Sequence, residues 1–242
     1  MSLVQDVLSC GCNHYFTGEV YSGCGFMGVK MRAYIKSNFL RQSVLAFTVM
    51  PLLIWAMGNL FERSLLKESL SVMTILAFCQ LIGQFFWART NRSVVGNLKM
   101  SKVIKYHKII GYTFVLILFF HPLYLVVPRF FEAGVSPVDD FITIISTLNQ
   151  GVVLGIIAWC LMLALGITSL ARKKLPMKYK TWRVFHGILA MLFISIAAWH
   201  VIDLGRHSNL TMSILSSMLT AGGILLLLKT YTFKKSKKTS EV

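Results

Sequence analysis

The amino-acid sequence predicts an all-α integral membrane protein, a bundle of six spanning helices, and three observations predict it. Of its 242 residues 55% are hydrophobic and only 14% charged, with a mean hydropathy of +0.65, a balance rarely met in soluble domains. Windows about 20 residues wide, the length needed to cross roughly 30 Å of hydrocarbon, find six apolar stretches, at 43–60, 69–87, 103–127, 151–170, 184–202 and 211–228. The third observation is where the charges fall.

The formal net charge of +16 and a pI near 9.9 would suit a nucleic-acid binder, but the positive residues are not spread over a surface. Lys30, Arg32, Lys36 and Arg41 precede the first stretch, and Arg89, Arg92, Lys99, Lys102, Lys105 and Lys108 stand at the junction of the second and third. Arg172, Lys173, Lys174, Lys178, Lys180 and Arg183 separate the fourth and fifth, and Lys229, Lys234, Lys235, Lys237 and Lys238 follow the sixth. Only four of the 25 Lys and Arg residues, Arg63, Lys67, Arg129 and Arg206, lie on the alternate loops, beside Glu62, Glu68, Glu132, Asp139, Asp140 and Asp203. The positive-inside rule then puts both termini in the cytoplasm, in a multi-pass chain of the cell (inner) membrane. The basic excess is topological, with lipid headgroups or an acidic cytoplasmic protein as its neighbours, and nucleic acid is not expected.

The chain divides into a cytoplasmic leader, 1–38, a six-span domain, 39–229, and a basic cytoplasmic tail, 230–242. Asp6 and Glu19 among polar and glycine positions leave no early apolar core, so no cleavable signal is expected and the first span stays as an anchor. Cys10, Cys12, His14 and Cys24 form a C-x-C-x-H cluster whose spacing matches no zinc module. A cytoplasmic location also disfavours disulfides, and translation starting at Met27 or Met31 is an alternative account of the leader. Cys79 and Cys160 fall inside spans and read as small packing residues. The outer stretch 130–149 suggests a short interfacial helix.

Histidines inside the membrane carry the chemistry, because ionisable side chains there are expensive and face a cofactor, a cavity or a partner. His107 and His121 lie in the third span, His186 and His200 in the fifth, each pair 14 residues apart. At about 100° and 1.5 Å per residue the two rings of one helix differ by roughly 40° around the axis and about 21 Å along it. The loop charges run both helices outward, so His107 shares the inner level with His186, and His121 the outer level with His200. A single buried imidazole is as readily explained by a hydrogen bond to a neighbouring helix. Four matched in spacing and depth favour two stacked b haems, each held axially by one histidine from each helix.

Several neighbours suit a porphyrin and have a plain reading as well. Gly111 and Gly187 can admit a macrocycle edge or serve helix packing. Phe120, Trp182, Phe185 and Trp199 can flank the rings or face the interface. Arg183 and Lys108, at the cytoplasmic ends of the histidine helices, can pair with propionates of the inner haem or simply mark the inner side. Pro122 loosens the backbone beside His121. His14 and His207 have no such setting and read as surface residues.

The run Tyr106-His107-Lys108-Ile109-Ile110-Gly111 leading to His121-Pro122, and Tyr179-Lys180-Thr181-Trp182-Arg183-Val184-Phe185-His186-Gly187 leading to His200, resemble the ferric reductase-like transmembrane domain shared by ferric reductases and NADPH oxidases. The resemblance covers roughly residues 43–229. It implies that His107 and His186 ligate the inner haem iron and His121 and His200 the outer, and that electrons pass from cytoplasmic flavin to an extracytoplasmic acceptor such as ferric iron, oxygen or a redox protein. The chain departs from the full-length pattern by ending soon after the last span, without flavin or nicotinamide domains and without a Rossmann-type glycine fingerprint. A separate cytoplasmic flavoprotein or free flavin is then the expected electron donor, unless the chain is a truncated form.

Two alternatives stand beside this reading. One is the related haem-binding membrane subunit of a periplasmic methionine sulfoxide reductase, also short, in which the position of His107 is usually arginine; retaining His107 argues against it. The other is a non-redox transporter or scaffold whose histidines bind protons or metal ions. No acidic residue is expected well inside any span, which disfavours transport. On the outer side Arg129, Arg206 and His207 are candidates for attracting an anionic acceptor.

Overall fold

The computed structural model describes residues 40–58, 64–88, 100–132, 134, 136–205 and 209–236, with side chains to 231. The leader cluster Cys10, Cys12, His14 and Cys24, together with Arg206, His207 and the end of the tail, lies outside the described residues. Among those described there are helices and no strands. They are α1 (Leu40–Ala56), α2 (Leu65–Phe86), α3 (Met100–Phe119), α4 (His121–Val126), α5 (Pro137–Ser146), α6 (Gln150–Leu170), α7 (Tyr179–Leu204) and α8 (Leu210–Ser236).

Four of these, α2, α6, α7 and α8, are long and apolar enough to cross a bilayer. A fifth span arises if α3 and the segment His121–Phe131, bent by 42°, are taken together. This is a multi-pass membrane protein with four or five such spans among its described residues, against the six stretches expected. The difference lies at α1, whose described residues, Leu40–Ala56, begin where the described chain begins and number 17.

Both irregular helices have a proline as their cause, and in both a neighbouring helix satisfies the freed backbone. In α1, Pro51 has no N–H for the carbonyl of Phe47, four residues earlier, and the turn Leu45–Val49 is π-helical. The side-chain amide of Gln80 on α2 donates to that carbonyl at 3.2 Å and to the Thr48 hydroxyl at 2.9 Å. Between α3 and α4, Pro122 breaks the ladder at Phe120, and the indole N–H of Trp159 on α6 donates to the Phe119 carbonyl at 3.1 Å. Within hydrocarbon an unmet carbonyl has no water to turn to, so such substitutes are what make proline tolerable in a span.

The helices neighbour one another in a ring, α2 to α3, α3 to α6, α6 to α7, α7 to α8 and α8 back to α2, with α1 packed on α2 and α8. The most intimate pair is α6 with α7. A buried core of Phe47, Phe78, Ile82, Met162, Ile194 and Leu227 joins α1, α2, α6, α7 and α8. α3 and α7, the two histidine helices, each pack on α6 and are not themselves a closely packed pair.

The connections at the end of the bundle that carries His121 and His200 are capped and tied. The expected interfacial helix is α5, opened by Ser136, whose hydroxyl accepts from the Asp139 amide, with Pro137, Asp139 and Asp140 in the first turn. Asn149 caps α6 in the same way at 2.8 Å, and Asn209 caps α8 at 2.8 Å. Arg129 bonds Glu132 at 2.7 Å and Asp140 at 2.8 Å, and Lys67 pairs with Glu132, so α2, the turn after α4 and α5 are joined.

Glu68 was expected on an outer loop; it lies instead in the first turn of α2, buried, accepting from the Trp55 indole at 3.2 Å. Cys79 is buried as expected, whereas Cys160 is exposed on α6 and is not a core packing residue.

Candidate functional site

α3 carries His107, α4 opens with His121, and α7 carries His186 and His200. The structure brings them together by level: His107 and His186 are electrostatic neighbours, and so are His121 and His200. All four rings are half-buried. The bend at Phe120 means that His107 and His121 do not stand on one straight helix, and the ring of His121 reaches Thr74 on α2.

Hydrogen bonding decides the tautomer at the outer level. The Nδ1 of His200 lies 2.8 Å from the carbonyl of Gly151, and a carbonyl only accepts, so Nδ1 carries the proton and Nε2 keeps its lone pair. The Nδ1 of His121 lies 3.4 Å from the Thr74 hydroxyl, whose own hydrogen goes to the Leu70 carbonyl at 2.9 Å. Thr74 can therefore only accept from His121, and the same tautomer follows. Both outer rings are left with Nε2 as a free donor of electrons. At the inner level the buried Nδ1 atoms of His107 and His186 have no hydrogen-bond partner.

Aromatic packing supports the inner pair from one side. Trp182 stacks on His186 with ring centroids 5.0 Å apart, its indole N–H reaches the Thr168 carbonyl at 3.4 Å, and the guanidinium of Arg172 lies over both Tyr179 and Trp182. Of the other aromatic candidates, Phe120, Phe185 and Trp199 are exposed.

The two glycines expected beside the rings differ. A side chain added at Gly111 would meet nothing within 4 Å, so open space adjoins α3 one turn after His107. At Gly187 it would run into the Tyr231 hydroxyl, which donates to the Arg183 carbonyl at 3.2 Å. Gly187 is thus a packing glycine between α7 and α8, and its role as an opening for a macrocycle is set aside. Arg183, half-buried, sits three residues before His186 and so lies on nearly the same face. Lys108 is exposed and, being next to His107, is turned about 100° from it. Arg129, held by Glu132 and Asp140, is not a free cation for an anionic acceptor.

Sequence reasoning missed Thr74, Gly151, Gly155, Trp159 and Tyr231. The spacing Gly151-x3-Gly155-x3-Trp159 was a readable signal, since it sets three residues on one helix face; Thr74 had none.

A bundle of apolar helices, four or five of them long enough to cross a bilayer, defines a multi-pass membrane protein. The family model described as "Ferric reductase like transmembrane component" matches residues 73–197, more than half the chain, and the chain belongs to that family. The match takes in His107, His121 and His186 and stops three residues before His200. A relative from Archaeoglobus fulgidus, described as an uncharacterized protein, is 45% identical over 161 residues, covering 66% of this chain and 88% of the relative. No solved structure matches. Membership of the family points to transmembrane electron transfer.

Proposed function

We propose that the chain conducts electrons across the membrane through two bis-histidine b haems, the inner held by His107 and His186 and the outer by His121 and His200. The observation that carries the reading is the level-by-level pairing of the four imidazoles, together with outer tautomers that leave Nε2 free.

The donor set fits the group. Among the described residues no three His, Cys, Asp or Glu side chains converge on a metal-sized site. Paired imidazoles supply two donors, too few for a bare zinc or copper ion and the right number for an iron whose other four donors belong to a porphyrin. When bound, a haem supplies a one-electron carrier of the b type. The chain's own residues present the imidazoles at two depths, hold the outer tautomers through Gly151 and Thr74, and keep water away with an apolar surround. Arg183 stands where it can neutralise a propionate of the inner haem, and Lys108 is the weaker candidate of the two.

Both termini are cytoplasmic in this reading, and the basic inner loops and tail, 230–242, face a cytoplasmic flavoprotein or flavin as donor. The acceptor, ferric iron, oxygen or a redox protein, meets the outer level. A reduced-minus-oxidised optical spectrum with a pyridine haemochrome assay tests the proposal. About two b haems per chain is the expected result. One haem would favour the subunit of a sulfoxide reductase system, and none, under ample haem supply, would favour a transporter or scaffold.

A further inference from the structure

We propose that the outer half of α6, which supplies no ligand, is the positioning element for both outer histidines, through Gly151, Gly155 and Trp159 spaced four apart on one face. The inference rests on the reading of the histidines as axial ligands. It adds that hydrogen bonds orient both outer imidazoles before any cofactor arrives, whereas the inner pair has the stack of Trp182 on His186 and no hydrogen bond at either Nδ1.

Each residue of the strip makes a different contact. The Gly151 carbonyl takes the Nδ1–H of His200 at 2.8 Å and so leaves Nε2 as the unprotonated nitrogen. At Gly155 an added Cβ would lie 2.6 Å from Cε1 and 2.8 Å from Nδ1 of the same ring, closer than atoms tolerate, and a ring already tethered to Gly151 cannot swing aside. Trp159 caps the Phe119 carbonyl at 3.1 Å and stacks on the Phe119 ring, centroids 5.6 Å apart and planes 19° from parallel. That carbonyl belongs to the break two residues before His121, so the indole holds the angle at which the segment opening with His121 leaves α3.

Glycines spaced by four on a membrane helix ordinarily mean close helix packing, and Gly151 does also face Leu204 and Asp203 of α7. Direct contact with an imidazole, and a third residue that caps the chain beside the opposite imidazole, go beyond packing. The inner level has no such hydrogen-bonded support: α3 runs unbroken through His107, the Nδ1 atoms of His107 and His186 are unpartnered, and the contact that steadies a ring there is the stack of Trp182 on His186. Supporting hydrogen bonds and fixed rotamers lower the ordering needed on binding.

The test uses the full chain, purified after haem-supplemented expression, with His121→Ala as the reference for a lost outer site. Wild type should hold about two haems; a wild type without haem would overturn the ligand reading itself, before any variant is made. Gly155→Ala should fall to about one haem per chain, the remaining spectrum coinciding with that of His121→Ala. Trp159→Phe, which keeps the stacked ring and loses the N–H, should keep both haems but shift the low-spin electron paramagnetic resonance signal that is missing in His121→Ala. Gly166→Ala is the control on the same helix, since its added Cβ would find only Val115 at 3.8 Å, and should match wild type. If Gly155→Ala does not fold, Trp159→Phe decides alone. Unshifted spectra, or equal changes in the inner and outer signals, would overturn the proposal.

Discussion

The indole of Trp182 lies nearly face to face with the imidazole of His186, centroids 5.0 Å apart and planes 25° from parallel. With its N–H on the Thr168 carbonyl and Arg172 above its ring, the indole is clamped and in turn limits the rotation of His186, which has no hydrogen bond at Nδ1 to do so. Trp182→Ala should weaken cofactor binding at the inner level by about 10–100-fold, the usual size of such outer-shell losses. Trp182→Phe should lose less. Haem titration of apoprotein measures both, and three equal affinities would show that the stack does not orient the ligand.

The pairing by level makes a second prediction. On the proposed two-haem reading, His107→Ala and His186→Ala should each abolish the same optical component, and His121→Ala and His200→Ala the other, because a bis-histidine iron needs both imidazoles to stay six-coordinate. Loss that followed α3 against α7 would contradict the pairing. Four single-variant spectra suffice to tell.

The family is legible in the motifs around His107 and His186, and so is the all-helical membrane class, because both depend on local residue runs and summed hydropathy. What spacing could not show is how helices repair one another. Pro51 and Pro122 are visible in the sequence, but the groups that compensate them, Gln80 and Trp159, come from other helices, about 30 and 40 residues along the chain. Straight-helix arithmetic therefore treats His107 and His121 as one rigid pair, when a 42° bend separates them.

Two smaller points have the same origin. Gly187 beside His186 leaves both room for a large ring and helix packing open, and the structure decides for packing, with Tyr231 from the last helix in the space. Glu68 at the edge of an apolar stretch suggests a loop, yet α2 begins at Leu65 and Trp55 of α1 provides it with a donor. Both outcomes turn on a contact between distant segments, which a single sequence does not report.

Gln80 offers a stability test of the compensation at Pro51. Gln80→Leu leaves the Phe47 carbonyl without its donor and should destabilise by about 1–3 kcal/mol, the penalty for an unmet buried polar group. Pro51→Ala restores the missing backbone N–H, so in that background the same change should matter less. Thermal unfolding in one detergent gives the four values, and strict additivity would refute the link.

Tyr231 and Gly187 form a lock of similar kind between α8 and α7. Gly187→Ala should destabilise by about 1–3 kcal/mol, because its methyl group would meet a hydroxyl held on the Arg183 carbonyl. Tyr231→Phe removes that hydroxyl and should restore part of the loss when the two are combined. No rescue would place the clash elsewhere.

Beside the turn after α4, hydrogen bonds from Lys67 first and Arg129 second hold the Glu132 carboxyl below the usual carboxylate range. A carboxyl whose folded value is depressed contributes stability that is fully present above its unfolded value, about 4.3, and is lost as pH falls through the lower folded value. Glu132→Gln should therefore unfold at a lower temperature than wild type near neutral pH, and the two should converge in acid. The tie is exposed and screened by salt, so the gap should also shrink at high ionic strength. Melting curves at neutral and acidic pH, each at low and high salt, would show it; a gap that widened in acid would mean that Glu132 is stabilised in its protonated form, contrary to its pairing with two cations.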